Sequence, residues 1–124
     1  FGRDFIFIDE EYHVQVGNND YYVDLLFYHR ELQCLVAIDL KIDDFKPEYM
    51  GKMDFYLEAL DRDIKKPHEN PSVGMILCKN ADTDVVEYSL SRSLSQTMIA
   101  ELYDIAEEEV KNSQQDWEFW KCEK

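Results

Sequence analysis

The sequence predicts an α/β (α+β) domain built on a mixed β-sheet. Three features carry that prediction. The first forty residues are apolar runs separated by short polar turns. Residues 47–66 then carry apolar side chains at helical spacing between two prolines, and a compact apolar run follows at 73–80. Strand, helix, strand in that order is a crossover unit, which sets its two strands parallel in one sheet. The runs before it form an antiparallel meander.

Each element has a local reason. DFIFID (4–9) and YHVQV (12–16) read as two strands, or as one strand interrupted by a turn at Asp9, Glu10 and Glu11. GNND (17–20) supplies a hairpin turn, because Gly and Asn tolerate positive φ. YYVDLLFYH (21–29) is the second arm, RELQ (30–33) the next turn and CLVAIDLKI (34–42) the third strand. Pro47 suits a first helical turn and Pro67 a stop. Between them Met50, Met53, Leu57, Leu60 and Ile64 recur at three and four, and Tyr49 and Tyr56 widen the stripe. Gly51 costs such a helix about 1 kcal/mol against Ala, which points to a close packing contact there. HENPS (68–72) is a loop and VGMILCKN (73–80) a central strand. ADTDVVEYSL (81–90) fits helix or strand. TMIAELY (97–103) reads as a last strand, and 105–124 as an acidic helix with Trp117 and Trp120 three apart.

The length of 124 residues fits one domain, residues 1–124. The chain begins at Phe1 rather than Met, so the expectation is a C-terminal piece of a longer protein. No apolar run approaches the ~18 residues of a membrane span, and no secretory leader is visible. Cys34, Cys78 and Cys122 are odd in number and widely spaced, with no CxxC pair. That argues against zinc and a disulfide framework and for a reducing, cytoplasmic location. The net charge of −14 repels nucleic-acid phosphates unless the thirteen basic residues are gathered on one face.

The polar residues inside the apolar strands are the informative ones. In the third strand Leu35, Ala37, Asp39 and Lys41 share a face that turns charged only at its end. In the second, Asp24 stands alone among large apolar neighbours, and a buried unpaired charge is costly. One register of the hairpin sets Asp24 opposite Asp39. Opposed carboxylates repel, and a hard divalent cation between them removes the repulsion. Lys41 would then lie beside metal-bound water. This set suits phosphodiester hydrolysis: the metal activates water, and the ammonium offsets developing charge and helps position or deprotonate the water. The competing structural reading is a salt-bridged Asp39–Lys41 pair on a solvated strand end, with Asp24 held by a tyrosine hydroxyl.

An Asp on one hairpin strand and D-x-K on the next, followed by a helix and a buried strand, resembles the PD-(D/E)XK nuclease superfamily. DYYVDLLFYHRELQCLVAIDLKIDDFKPEYMGKMDFYLEALD, NPSVGMILCKN and VVEYSL resemble its YhcG-type PDDEXK nuclease domain over roughly residues 5–105. The resemblance implies a restriction-endonuclease-like core, with a meander, crossover helix and following strand flanked by helices. It implies a Mg²⁺- or Mn²⁺-dependent nuclease acting on nucleic acid, with DNA the expected substrate. Its metal-binding acids fall on Asp24 and Asp39, its lysine on Lys41, and the backbone carbonyl of Leu40 is a further ligand. Where relatives carry Gln four residues before Tyr, this chain has Lys52 and Tyr56. Spacing keeps both on one helix face as supporting residues, and Lys52 either contacts phosphate or occupies the metal's place. The family's first acidic helix is expected upstream of Phe1, as is another domain that contributes nucleic-acid affinity.

Lys41, Lys46, Lys52, Arg62, Lys65 and Lys66 form a candidate phosphate-contacting patch around the helix, or ordinary surface charge paired with Glu58, Asp61 and Asp63. Acid concentrates from Glu101 to Glu123. With Lys52 in place of Gln, that charge supports the alternative function, a catalytically decayed nuclease fold acting as a protein-interaction or DNA-mimicking module. The C-terminal Trp segment docks the last helix or contacts a partner protein or second copy. His13 and His29 read as strand-surface residues. Tyr21, Tyr22, Phe27, Tyr28, Phe55 and Tyr56 read as core and core rim, with a base-stacking platform as the alternative.

Overall fold

The computed structural model describes residues 4–41, 43–79 and 86–90, together with Ala100 and Asp104. Its elements are β1 (Phe5–Val16), β2 (Asn19–His29), β3 (Cys34–Lys41), α1 (Pro47–Asp63), β4 (Val73–Lys79) and β5 (Val86–Leu90). They form one five-stranded sheet in the order β1-β2-β3-β4-β5. β3 and β4 are parallel, and the other neighbouring pairs are antiparallel. This is the mixed sheet with a meander and a crossover helix that the sequence predicts, and it is consistent with a restriction-endonuclease-like fold.

Turn chemistry sets the meander. Gly17 closes β1 onto β2 at φ +61°, a conformation that costs a residue with a Cβ about 1 kcal/mol or more. β1 is continuous through Asp9, Glu10 and Glu11, which the sequence assigns to a turn. Its irregularity takes two other forms: a register shift between Phe7 and Asp9, and a positive φ of 48° at Glu11. At the far end of α1, Asp61 Oδ1 accepts the Ser72 N–H at 2.9 Å and its hydroxyl at 2.7 Å. Asn70 donates to the Leu32 carbonyl at 2.7 Å. These bonds fix the start of β4 beside the start of β3.

Residues 34–40 are buried on both faces, as their near-continuous apolar run predicts. On one face Leu35 and Ala37 pack with Met53, Leu57, Leu60, Ile76 and Cys78. Leu57 and Leu60 are fully buried, and each contributes roughly 1.5–3 kcal/mol by removal from water. Val36, Ile38 and Leu40 are buried on the opposite face.

Three local expectations differ. Gly51 is exposed and a Cβ there would meet nothing within 4 Å, so no packing contact accounts for it. His29 is buried rather than at the surface: its Nδ1 accepts the Leu32 N–H at 3.1 Å and Phe5 packs edge-on against its ring. Ala100 is helical, within the stretch the sequence reads as a last strand. Of the ambiguous 81–90 run, residues 86–90 are strand. The acidic segment with Trp117, Trp120 and Cys122 lies outside the described residues.

Candidate active site

The site forms where the sheet divides. The β2–β3 ladder runs from His29↔Cys34 to Leu25↔Ile38 and ends there, while β3 stays paired with β4 as far as Lys41↔Cys78. Extending the β2–β3 register by one residue sets Asp24 opposite Asp39. On its other side the β1–β2 register passes from Glu10↔Leu25 to Tyr12↔Val23, skipping Glu11 and Asp24. Side chains then do what ladder bonds do elsewhere. The Leu40 N–H donates to Asp24 Oδ2 at 2.8 Å, and the Asp24 N–H donates to Asp39 Oδ1 at 3.2 Å. Each acid is thus fastened to the other's strand.

Both carboxylates are nearly sealed from solvent, at 1% exposure for Asp24 and 4% for Asp39. Backbone N–H donors stabilise a carboxylate in such a place. Asp39 pairs with Ile76 and Lys41 with Cys78, and Ile76 and Cys78 belong to the core beneath α1. Asp39 and Lys41 therefore share the helix-side face. A strand residue's N–H and C=O leave by the same edge, so the Leu40 carbonyl faces the gap that Asp24 occupies.

Lys41 is half-buried, with its Nζ 5.0 Å from the centroid of the Tyr49 ring. Lys46 Nζ lies 5.7 Å from the same centroid and 3.2 Å from Asp43 Oδ2, the atom to which the Tyr49 hydroxyl donates. Tyr49 and Lys46, beside Asp43, hold its carboxyl below the usual carboxylate range against the opposing effect of its burial. Burial and Asp43 push the Tyr49 phenol up. The sequence alone places Tyr49 only in the apolar stripe and gives Asp43 no role. Tyr49 stands seven residues before Tyr56, two helical turns along one face, and that spacing was the available signal.

Tyr56 is buried beside the acids. Its phenol is pushed up to about 12, first by burial and then by Asp39, Asp24 and Tyr21. Its ring lies 5.8 Å from that of Tyr21, which meets Phe55 edge-on at 5.6 Å. Lys52, one turn before Tyr56, is exposed. The six basic residues of the expected patch divide into two groups. Lys41, Lys46 and Lys52 lie at the site's end of α1. Arg62, Lys65 and Lys66 lie at the other end of a 17-residue helix, about 25 Å long at ~1.5 Å per residue. Arg62 is paired there with Asp63, and Lys65 Nζ donates to the carbonyls of Lys66 and Glu69.

The donor chemistry at Asp24 and Asp39 fits a hard divalent cation. Both side-chain donors are oxygens, and the Leu40 carbonyl adds a third of the same kind. Among the described residues no cluster of three or more His, Cys, Asp or Glu side chains is placed to hold a metal. Two carboxylates suffice for Mg²⁺, which keeps several waters and substrate oxygens in its shell. No helix among the described residues is long and apolar enough to cross a membrane.

Comparison with known proteins follows the same lines. The family model described as the YhcG PDDEXK nuclease domain matches residues 1–118. A curated relative, "Putative nuclease YhcG" of Escherichia coli (strain K12), is 35% identical over 102 residues, which cover 82% of this chain and 27% of the relative. The chain thus spans about a quarter of that relative's length.

Proposed function

Because the chain belongs to the YhcG PDDEXK nuclease domain family, we propose that it hydrolyses nucleic-acid phosphodiester bonds, those of DNA, with Mg²⁺ or Mn²⁺. The observation that carries this reading is the meeting of Asp24 and Asp39 across the opened β2–β3 ladder, with Lys41 on the face of Asp39. A salt-bridged strand end in solvent does not account for two acids buried to 1% and 4% exposure.

In this reading Asp24, Asp39 and the Leu40 carbonyl hold the cation. When bound, the cation lowers the pKa of water and polarises the phosphoryl oxygen. The rest falls to the chain's own groups. The Leu40 and Asp24 N–H groups orient the two carboxylates before substrate arrives, so little reorganisation remains. Lys41 supplies a positive charge where negative charge develops on the phosphoryl group and helps position the attacking water. Tyr56 packs beside the acids and supports them. Lys52, exposed one turn along α1, meets substrate phosphate as a point charge. The cytoplasm is the proposed location, and further domains of the full-length protein add affinity for the substrate.

The test is a cleavage assay of the full-length protein on duplex and single-stranded DNA and on RNA, with Mg²⁺ or Mn²⁺ and with EDTA. Wild type cleaves only with metal, and Asp39→Ala and Lys41→Ala abolish cleavage while the protein stays folded. Equal activity in wild type and both variants would sink the assignment. The second reading, a decayed module, has Lys52 in place of Gln as its motive. No Mn²⁺ binding by calorimetry, together with no cleavage, would establish it instead.

A further inference from the structure

Tyr49 sits apart from the acids yet gathers three charged groups. Two ammonium nitrogens lie over its ring, Lys41 at 5.0 Å and Lys46 at 5.7 Å. Its hydroxyl donates to Asp43, which also takes Lys46 at 3.2 Å. A tyrosine inside a helical stripe ordinarily needs no explanation beyond packing. This one is only half-buried, so burial alone does not account for its arrangement.

A long lysine side chain has four rotatable bonds, and a half-buried strand end leaves its ammonium several places to go. A catalytic ammonium has to be in one of them. An aromatic face attracts a cation through its quadrupole, more strongly where water is partly excluded. A phenol that donates its proton to a carboxylate has a more electron-rich ring, so the Asp43 contact strengthens the hold on a cation above it. Lys46 pairs with Asp43 at 3.2 Å and offsets its charge, which weakens the pull of Asp43 on Lys41.

We propose that Tyr49 is a positioning residue for Lys41, with the Asp43–Lys46 pair fixing the ring on which the Lys41 ammonium rests. The inference rests on the proposed nuclease reading for what Lys41 does, and on geometry alone for where Lys41 is held. Tyr49 touches neither substrate nor metal in this scheme. It acts through Lys41.

Two measurements separate the two claims. The first is NMR of full-length protein carrying ¹³Cε-labelled lysine, with the Lys41 signal assigned by its loss in Lys41→Arg. An ammonium-bearing carbon above a ring is shifted upfield by the ring current. That shift persists in Tyr49→Phe, which keeps the ring, and disappears in Tyr49→Leu. The second is metal-dependent cleavage. Tyr49→Leu lowers kcat about tenfold, within the span of a partly desolvated cation–π contact, with KM little changed. Tyr49→Phe recovers most of that loss. Thermal melts establish that each variant is folded. If Tyr49→Leu misfolds, Asp43→Asn, which weakens the hold on the ring, provides the intermediate shift and the intermediate kcat. An upfield shift that survives in Tyr49→Leu overturns the seat. A shift that vanishes while kcat stays at the wild-type value overturns the positioning role. A wild-type protein without any cleavage refutes the nuclease reading and leaves the ring-current result to judge the seat by itself.

Discussion

Asp24→Asn provides a severe test of the site, because one atom decides between opposing effects. In metal-free protein the substitution removes one of two negative charges facing each other across the opened ladder. Directly opposed residues place their Cβ atoms about 4.5–5.5 Å apart. At about 5 Å and an effective dielectric constant of about 20, two unit charges repel by roughly 3 kcal/mol. Against this, the bond from the Leu40 N–H to Asp24 Oδ2 at 2.8 Å loses its charge assistance, worth about 1 kcal/mol. The amide oxygen still accepts that N–H, so the Leu40 donor is not stranded. The net expectation is a gain of about 2 kcal/mol, or roughly 6–10 °C in Tm for a domain of this size. Asp24→Ala leaves the Leu40 N–H without that acceptor and is destabilising by about 1–3 kcal/mol. The assay is urea or thermal unfolding at pH 7.5 in EDTA, repeated with Mn²⁺. At a free ion concentration of 100 Kd the wild type gains about 2.7 kcal/mol. The asparagine variant gains less, so added metal removes or reverses its advantage. If Asp24→Asn is less stable than wild type in EDTA, the two acids are not in electrostatic conflict and the reasoning fails.

Tyr56 provides a pH test. Its phenol moves from the ordinary value of 10.0 to about 12, so between those values the folded state holds a proton that the unfolded state has lost. Stability therefore falls as pH rises through that window. Tyr56→Phe flattens the fall, and Asp39→Asn lowers the late step in the 295 nm phenolate titration by removing a negative neighbour. A late step unmoved by Asp39→Asn would place Tyr56 away from the acid. Gly51 tests the helix. A Cβ there meets nothing within 4 Å, so Gly51→Ala stabilises by about 0.5–1 kcal/mol, read as a higher urea midpoint at unchanged m-value. A loss of stability would mean that the glycine makes a contact after all.

Some features of the sequence carried far because they follow from covalent geometry. The period of two placed Asp39 and Lys41 on one face of β3. The short turn at 30–33 limited the hairpin register to a few choices, one of which opposes Asp24 and Asp39. Pro47 and the three-and-four spacing of Met53, Leu57 and Leu60 predicted α1. Other features were illegible because they depend on a local bond that no spacing encodes. His29 is a polar residue on a strand, and its burial is tolerated because the turn offers it the Leu32 N–H. Glu11 adopts a positive φ where the β1–β2 register skips it and Asp24, and nothing in EEYH announces that. The basic residues looked like one patch because they are close in sequence. A helix separates its ends by about 1.5 Å per residue, which is why Lys46 and Arg62 cannot serve the same phosphate.

That division bears on how a chain of net charge −14 would approach nucleic acid. On the proposed function, and among the described residues, substrate meets the three lysines at the site's end of α1 rather than Arg62, Lys65 and Lys66 at the other. Lys41 and Lys46 are held over Tyr49, and Lys52 stands one turn along from the site. Three phosphate contacts there correspond to a salt slope of only about −3 for duplex DNA. The net charge of −14 repels duplex as a whole. Such a distribution makes for weak general affinity and a phosphate that is well placed only beside Asp24, Asp39 and Lys41. On the proposed function, affinity is supplied by other parts of a longer protein, and the described surface around Asp24, Asp39 and Lys41 serves where a bond is cut rather than how tightly the substrate is held.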